Sequence, residues 1–482
     1  MKEIEFNLLT EPWIRVRLRD NTVREVSLTE ALVSAQDYVD LAGEMPTQDA
    51  AVLRLLLAVL FTVFSRVDAK GKPQPLAQSD DALERWSELW QLGNFPAEPV
   101  RDYLEQWKDR FWLFHPTHPF WQVPTLSSGI AFDGKKLNGE RAESGNKTPL
   151  FQNISKAECA VLTYAQAARW LIYQNGYDER GGRPKAGNKP RHGVGWLGQI
   201  GFVAVKGKNL YETLLRNMAF STEQDALQEK QLPCWEREHA RTEQSVEIVM
   251  PKNQAELLTL QSRRILLIRS EEMPGVVGYE VSGGDYWDSE NAFGEQMTLW
   301  RRTSKENEKV TYEPQQHEMG KQLWRELPAM LDPEGRKPGV LIWNQKLQSL
   351  RILSKKEQIV ISVVGIRYDD QGASVKDVYT DQLEMQLATL NDLGRKWTVR
   401  ISREVQRCEE TAKNIGTLCV ELKLAGGLDY NKVKGFKDKQ KVTEDARAQF
   451  YFAVDQPFRQ WLQAIDPEQD DPDEAALRWQ AQ

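Results

Sequence analysis

Between Asn175 and Gly195 the chain carries Arg180, Arg183, Lys185, Lys189 and Arg191, and no acid falls between positions 180 and 192. Five positive charges without internal neutralisation suit contact with a polyanion. Gly181, Gly182 and Gly187 would let the main chain come close to a phosphate backbone. By composition alone, a solvated surface loop is an equal reading. A second basic run, Lys432, Lys434, Lys437, Lys439 and Lys441, is opposed only by Asp438. It reads as a surface loop between helices, with nucleic-acid contact as the alternative.

Catalytic chemistry finds little material. Gly193-Val-Gly195-Trp-Leu-Gly198 matches G-x-G-x-x-G, yet a basic loop precedes it and a strand-like run, Phe202 to Val205, follows, the reverse of the dinucleotide-binding order. His115-Pro-Thr-His118-Pro has prolines that preclude a regular helix and reads as a buried turn, not a metal site. Cys159, Cys234, Cys408 and Cys419 form no close pair of the kind zinc sites use, so no metal is expected and a reduced, cytoplasmic protein is. No nucleophile elbow, P-loop or kinase signature occurs, and no cofactor is expected. The enzymatic alternative is a hydrolase built on an acidic pair such as Asp285 and Asp288.

The elements that must position these residues follow from apolar spacing. The 482 residues, 40% of them hydrophobic, suffice for a sizeable core. A net charge of −7 means that any nucleic-acid contact comes from local patches. Leu53, Leu56, Leu57, Leu60 and Phe64 predict a helix over 49–66, and Arg54 within it marks a buried helix that does not span a membrane. Helices over 165–173 and 210–218 alternate with strand-like runs at 202–205, 265–268 and 359–364. Residues 1–375 therefore read as one large irregular α+β domain. From there, Ile401, Val405, Cys408, Ala412, Ile415, Cys419 and Leu422 repeat with heptad spacing, which makes 376–482 a helical bundle with both cysteines on its seam. A further helix over 443–465 would be kinked at Pro457, and an acidic linker, 466–474, precedes a last helix that ends without a cap, as a truncated chain would. Most of the sixteen tryptophans are expected in the core.

Several segments together resemble the large subunit of the type I-E CRISPR surveillance complex Cascade, the CasA family. They are Asn7-Leu-Leu-Thr-Glu-Pro-Trp-Ile-Arg-Val16, His115 to Phe120, Ala168-Arg-Trp-Leu171 with Tyr177-Asp178, Asn209 to Leu215, Met297 to Arg301 and Gly365 to Ser374. The resemblance covers most of the chain in order. It implies an α+β N-terminal domain followed by a C-terminal four-helix bundle, in a non-enzymatic subunit that reads a protospacer-adjacent motif through the minor groove of double-stranded target DNA. The family's glycine-rich loop falls on Asn175, Gly176 and the residues to Gly187, and its strand-separating wedge on Asp370, Gln371 and Gly372.

The resemblance further implies that Asn146, Lys147, Leu150 and Phe151 dock on the 5′ handle of the guide RNA and a neighbouring Cascade subunit, and that a helicase-nuclease is recruited. Two features depart from the family. The zinc-binding cysteine pairs of some relatives are absent, and no lysine lies in 285–296, where the family's lysine finger is expected and Asn291 stands instead. An architectural ribonucleoprotein subunit that does not read DNA is the other alternative.

Overall fold

The computed structural model describes residues 3–138, 161–180, 193–220, 230–238, 241–243, 247–304, 310–332, 335–372, 374–391, 395–426 and 436–481. The chain divides into two compact units. The first takes Met1–Gly320, Pro338–Trp343 and Ser362–Thr380, and the second takes Lys321–Lys337, Asn344–Ile361 and Asp381–Gln482.

The first unit is built around the helix Pro46–Phe64, whose proline occupies the first turn where its missing N–H costs nothing. By length and composition this helix could cross a membrane, but 94% of its apolar window is buried inside the fold, as a core helix must be. It packs against the helices Tyr164–Tyr177 and Gln254–Leu258. Arg54 in its middle is 3% exposed and makes a two-pronged ion pair with Glu295, 2.8 and 2.9 Å. The same carboxylate accepts from Trp196 Nε1 (2.8 Å) and from the Met297 N–H (3.1 Å), so a charge buried in the core has a full set of partners.

The chain also forms several short sheets. Val276–Gly283 is the centre of one, antiparallel to Ile130–Asp133 and to Arg263–Arg269. Another has the strand order Val375–Gln386, Gln358–Tyr368, Phe202–Lys206. Among the described residues no sheet exceeds three strands, in keeping with an irregular mixed α/β fold. Twelve tryptophans among the described residues are buried, as expected of core residues.

The second unit is helical. Arg395–Ala425 and Phe436–Ala464 pack along each other, and the short helices Leu327–Leu331 and Pro472–Gln480 pack onto them. Leu327–Leu331, upstream of the heptad pattern, is thus the fourth member. It is held by Trp324, stacked on Phe458 with Nε1 bonded to Asp455, and by Arg325, which pairs with Glu409 over the Tyr451 ring.

The heptad seam is realised over half its length. Ile401, Val405, Cys408 and Ala412 are buried, Ile415 and Cys419 are half-buried, and Leu422 is 60% exposed. Side chains are buried only where a neighbour covers them, and beyond the close approach of Gly416 to Thr443 little of the described partner helix remains. Pro457 lies inside its helix, and the last helix begins at Pro472, capped by Asp471 bonding the Asp473 and Glu474 N–H groups.

Two outcomes are expected. Arg54→Met leaves Glu295 with a buried charge and no counter-ion, so chemical denaturation should show a loss of about 3–5 kcal/mol. A change below about 1 kcal/mol would show that the pair is not a determinant of the core. Burial pushes the Asp49 carboxyl up to about 7, against the stabilising Gly43 N–H bond and with Asp40 and Glu44 adding to the rise. Because its folded-state value lies above the ordinary 3.8, this group's contribution is fully present below about pH 4 and is lost as pH rises towards 7. Asp49→Asn should therefore gain on the wild type steadily between those limits. Parallel denaturation midpoints across the interval would refute it.

Candidate nucleic-acid interface

Arg263, first residue of its strand and 2% exposed, organises the site. Its Nε donates to Asp178 Oδ2 at 2.6 Å, while Nη2 reaches the carbonyls of Asp178 (3.2 Å), Glu179 (3.0 Å) and Gly193 (2.9 Å). The Gly195 N–H adds a bond to the Asp178 carbonyl at 2.9 Å. One guanidinium thus grips both described ends of the basic loop. Asp178 and Glu179 precede it and Gly193 follows it. A buried carboxylate supplies the counter-charge that stabilises this grip in a dry environment.

The candidate wedge adjoins the same place. Tyr368, Asp369, Asp370, Gln371 and Gly372 form a tight turn in which the Gly372 N–H bonds the Asp369 carbonyl (2.8 Å) and Asp369 N–H bonds the Ser374 carbonyl (2.9 Å). Gly372 has φ +67°, a conformation that glycine adopts without strain. Asp370 and Gln371 are exposed at its tip. The Arg180 N–H donates to the Gly372 carbonyl at 2.6 Å, so the first residue of the basic stretch is bonded to the turn. The Tyr368 hydroxyl, held neutral because burial pushes its pKa well above the usual range, donates to the Tyr177 carbonyl at 2.6 Å.

Glu179 adds a third segment. Its carboxylate takes the Lys136 ammonium at 2.6 Å and the Val375 N–H at 3.3 Å. Lys136 lies on the short helix Gly134–Leu137, just before residues 139–160.

The sequence-derived candidates fall as follows. Arg180 is exposed at the loop's first end. Asn175 is 1% exposed, its amide bonded to the Leu171 carbonyl and accepting from Arg263 N–H, so it anchors the loop from inside instead of facing solvent. Gly176 is half-buried against Leu197. Asn291 has φ +52°, and its side-chain oxygen accepts the Tyr312 N–H at 3.0 Å. Gly181, Gly182, Arg183, Lys185, Gly187, Lys189 and Arg191 lie outside the described residues, as do Asn146, Lys147, Leu150, Phe151, Lys432 and Lys434. Lys437, Lys439 and Lys441 belong to the helix beginning at Phe436 and not to a loop, with Lys441 exposed and Lys439 half-buried.

Other motifs resolve into packing. Gly195 and Gly198 leave no room for a Cβ, one against the Gly176 carbonyl and the other against the Tyr368 hydroxyl, which accounts by packing for two of the three glycines of the G-x-G-x-x-G pattern; Gly193 is not crowded. His115 and His118 do form a turn, in which His115 Nδ1 accepts the Thr117 and His118 N–H groups. The turn is half-exposed and not buried as expected, because Pro116 and Thr117 face outward at the end of a strand while only Pro119 is buried. Among the described residues no cluster of histidine, cysteine and carboxylate could hold a metal. Asp285 is buried between Arg264 (2.8 Å) and Arg241 (3.0 Å), whereas Asp288 is exposed and bonds the Glu290 N–H, so the two acids have no shared environment in which to act as a pair. Sequence reasoning passed over Arg263, Glu179 and Lys136. The one available signal was a pair of arginines opening an otherwise apolar strand.

The family described as CRISPR-associated protein Cse1 matches residues 7–482. A CRISPR-associated protein CasA/Cse1 from Thermus thermophilus is 37% identical over 238 residues, 48% of this chain and 42% of that protein, so the alignment spans less than half of the curated relative. The crystal structure of Thermobifida fusca Cse1 is 29% identical with a TM-score of 0.83, covering 99% of this chain and 89% of that one. A chain of a CRISPR RNA-guided surveillance complex, 20% identical, shares the fold with a TM-score of 0.67 over 99% of both chains. With the match running through both compact units, the chain belongs to the CRISPR-associated protein Cse1 family, as its resemblance to CasA implied.

Proposed function

We propose that this chain is the large, non-catalytic subunit of a cytoplasmic RNA-guided surveillance complex. It reads a short motif in double-stranded DNA through the minor groove and begins strand separation. The observation that carries the reading is the bond from Arg180 N–H to the Gly372 carbonyl, which joins the start of a basic stretch to a turn with an exposed glutamine. A groove reader and a wedge must act on neighbouring base pairs, and that bond suits them to it. The fold shared with a chain of a CRISPR RNA-guided surveillance complex supports the assembly.

The chemistry follows from the partner. The minor groove presents a degenerate acceptor pattern, so reading by main chain and a few polar groups tolerates several related motifs. Basic residues of the loop neutralise phosphates, and a side chain inserted at the first base step offsets an unstacking cost of a few kcal/mol. The guide RNA then pairs with the released strand, a division of labour known in principle from another effector class. In this reading residues 1–375 carry motif reading and, through Asn146 to Phe151, the guide's 5′ handle and the adjoining subunit. The helical part, 376–482, offers Lys432 to Lys441 to the opened strand, and the assembled surface receives a helicase-nuclease.

Binding of reconstituted complex to duplexes that differ only at the motif is the direct test, and equal affinities would leave an architectural subunit. Neutralising Arg180, Arg183, Lys185, Lys189 and Arg191 together should weaken duplex binding broadly and flatten its salt dependence by about 0.9 in slope for each phosphate no longer neutralised. An unchanged slope would remove the loop from the interface. Gln371→Ala should leave docking on the motif duplex intact but slow strand opening, with a pre-melted bubble restoring the rate. Equal opening rates on fully paired DNA would exclude the wedge.

A further inference from the structure

The grip of Arg263 has a specific geometry that the motif-reading proposal does not use. Its guanidinium bonds main-chain carbonyls on both sides of the basic stretch, Asp178 and Glu179 before it and Gly193 after it. The Asp178 carboxylate, almost wholly buried, fixes the orientation of the fork. Glu179, whose carbonyl Arg263 holds, uses its own carboxylate to take the Val375 N–H at the foot of the Gln371 hairpin. Arg180 closes the circuit through the Gly372 carbonyl. A planar group with five donors is suited to hold several acceptors in one arrangement, which an ammonium cannot do.

We propose that Arg263, with Asp178 and Glu179, is the positioning unit that keeps the described ends of the basic stretch, 178–180 and 193–195, and the Gln371 turn at one spacing, so that a single duplex meets both. The proposal rests on the motif-reading function above and adds a specificity determinant that touches no nucleic acid. Sites that must meet a partner at two points depend on supporting groups of this kind for their register.

The test uses complex reconstituted with guide RNA and carrying Arg263→Lys, which keeps the charge opposite Asp178 but not the fork. Three ligands are compared: the motif duplex, the same duplex with a scrambled motif, and the single strand complementary to the guide. The ratio of the first two affinities should fall about tenfold, the scale of discrimination at one base pair. Affinity for the single strand, which needs neither reading nor opening, should hold within about twofold. Wild-type discrimination retained by Arg263→Lys would overturn the proposal. A wild-type complex that does not discriminate would instead overturn motif reading itself, and this proposal with it. Should Arg263→Lys fail to assemble, Glu179→Gln decides, with Lys136→Gln as its control: both remove the Lys136 ion pair, and only Glu179→Gln also weakens the tie to the hairpin foot while leaving the main-chain bonds of Arg263 in place. Slower opening of fully paired motif DNA, restored by a pre-melted bubble, supports the proposal, and opening at the wild-type rate refutes it.

Discussion

A guanidinium taken out of water must find a carboxylate and a full set of acceptors, and in the first unit that requirement decides where distant parts of the chain meet. Removing a charge from water costs several kcal/mol, so each buried arginine is tolerated only where its partners are already placed. Arg54 meets Glu295, 241 residues away. Arg263 meets Asp178, 85 residues away, and its neighbour Arg264 meets Asp285 on the other side of the same strand. Arg169, on the helix Tyr164–Tyr177, gathers Glu44, Glu25 and the Trp13 carbonyl. Small sheets of two or three strands provide little long-range order of their own, and these charged pairs supply what the sheets do not.

That requirement explains what could be read from the sequence and what could not. The core helix was legible because its apolar residues repeat with helical spacing, and Arg54 inside that run marked burial correctly. Its partner was not legible, since an ion pair across 241 residues leaves no periodic trace. The hairpin turn was visible through Gly372 after a β-branched run. Asn175, by contrast, reads the same in sequence whether its amide faces a groove or a buried strand, and only the placement of Arg263 beside it distinguishes the two. The bundle shows the same limit from another side: the heptad pattern gives the stripe along Arg395–Ala425, but not how far a partner covers it, so Leu422 fits the repeat and yet faces solvent. The basic residues between 181 and 191 were legible as chemistry alone, and their roots at 178–180 and 193–195 became visible only through bonds to residues distant in sequence, Arg263, Lys136 and Gly372.

The division between grip and loop also bears on how such a protein can change over generations. Arg263 holds the ends of the basic stretch by carbonyl oxygens, which every amino acid possesses. A side chain added at Gly193 therefore leaves the acceptor and the buried counter-charge in place, since a Cβ there meets nothing closer than 3.8 Å. The anchorage thus depends on two side chains, Arg263 and Asp178, and a lineage that keeps those two keeps the grip whatever side chains its acceptors carry.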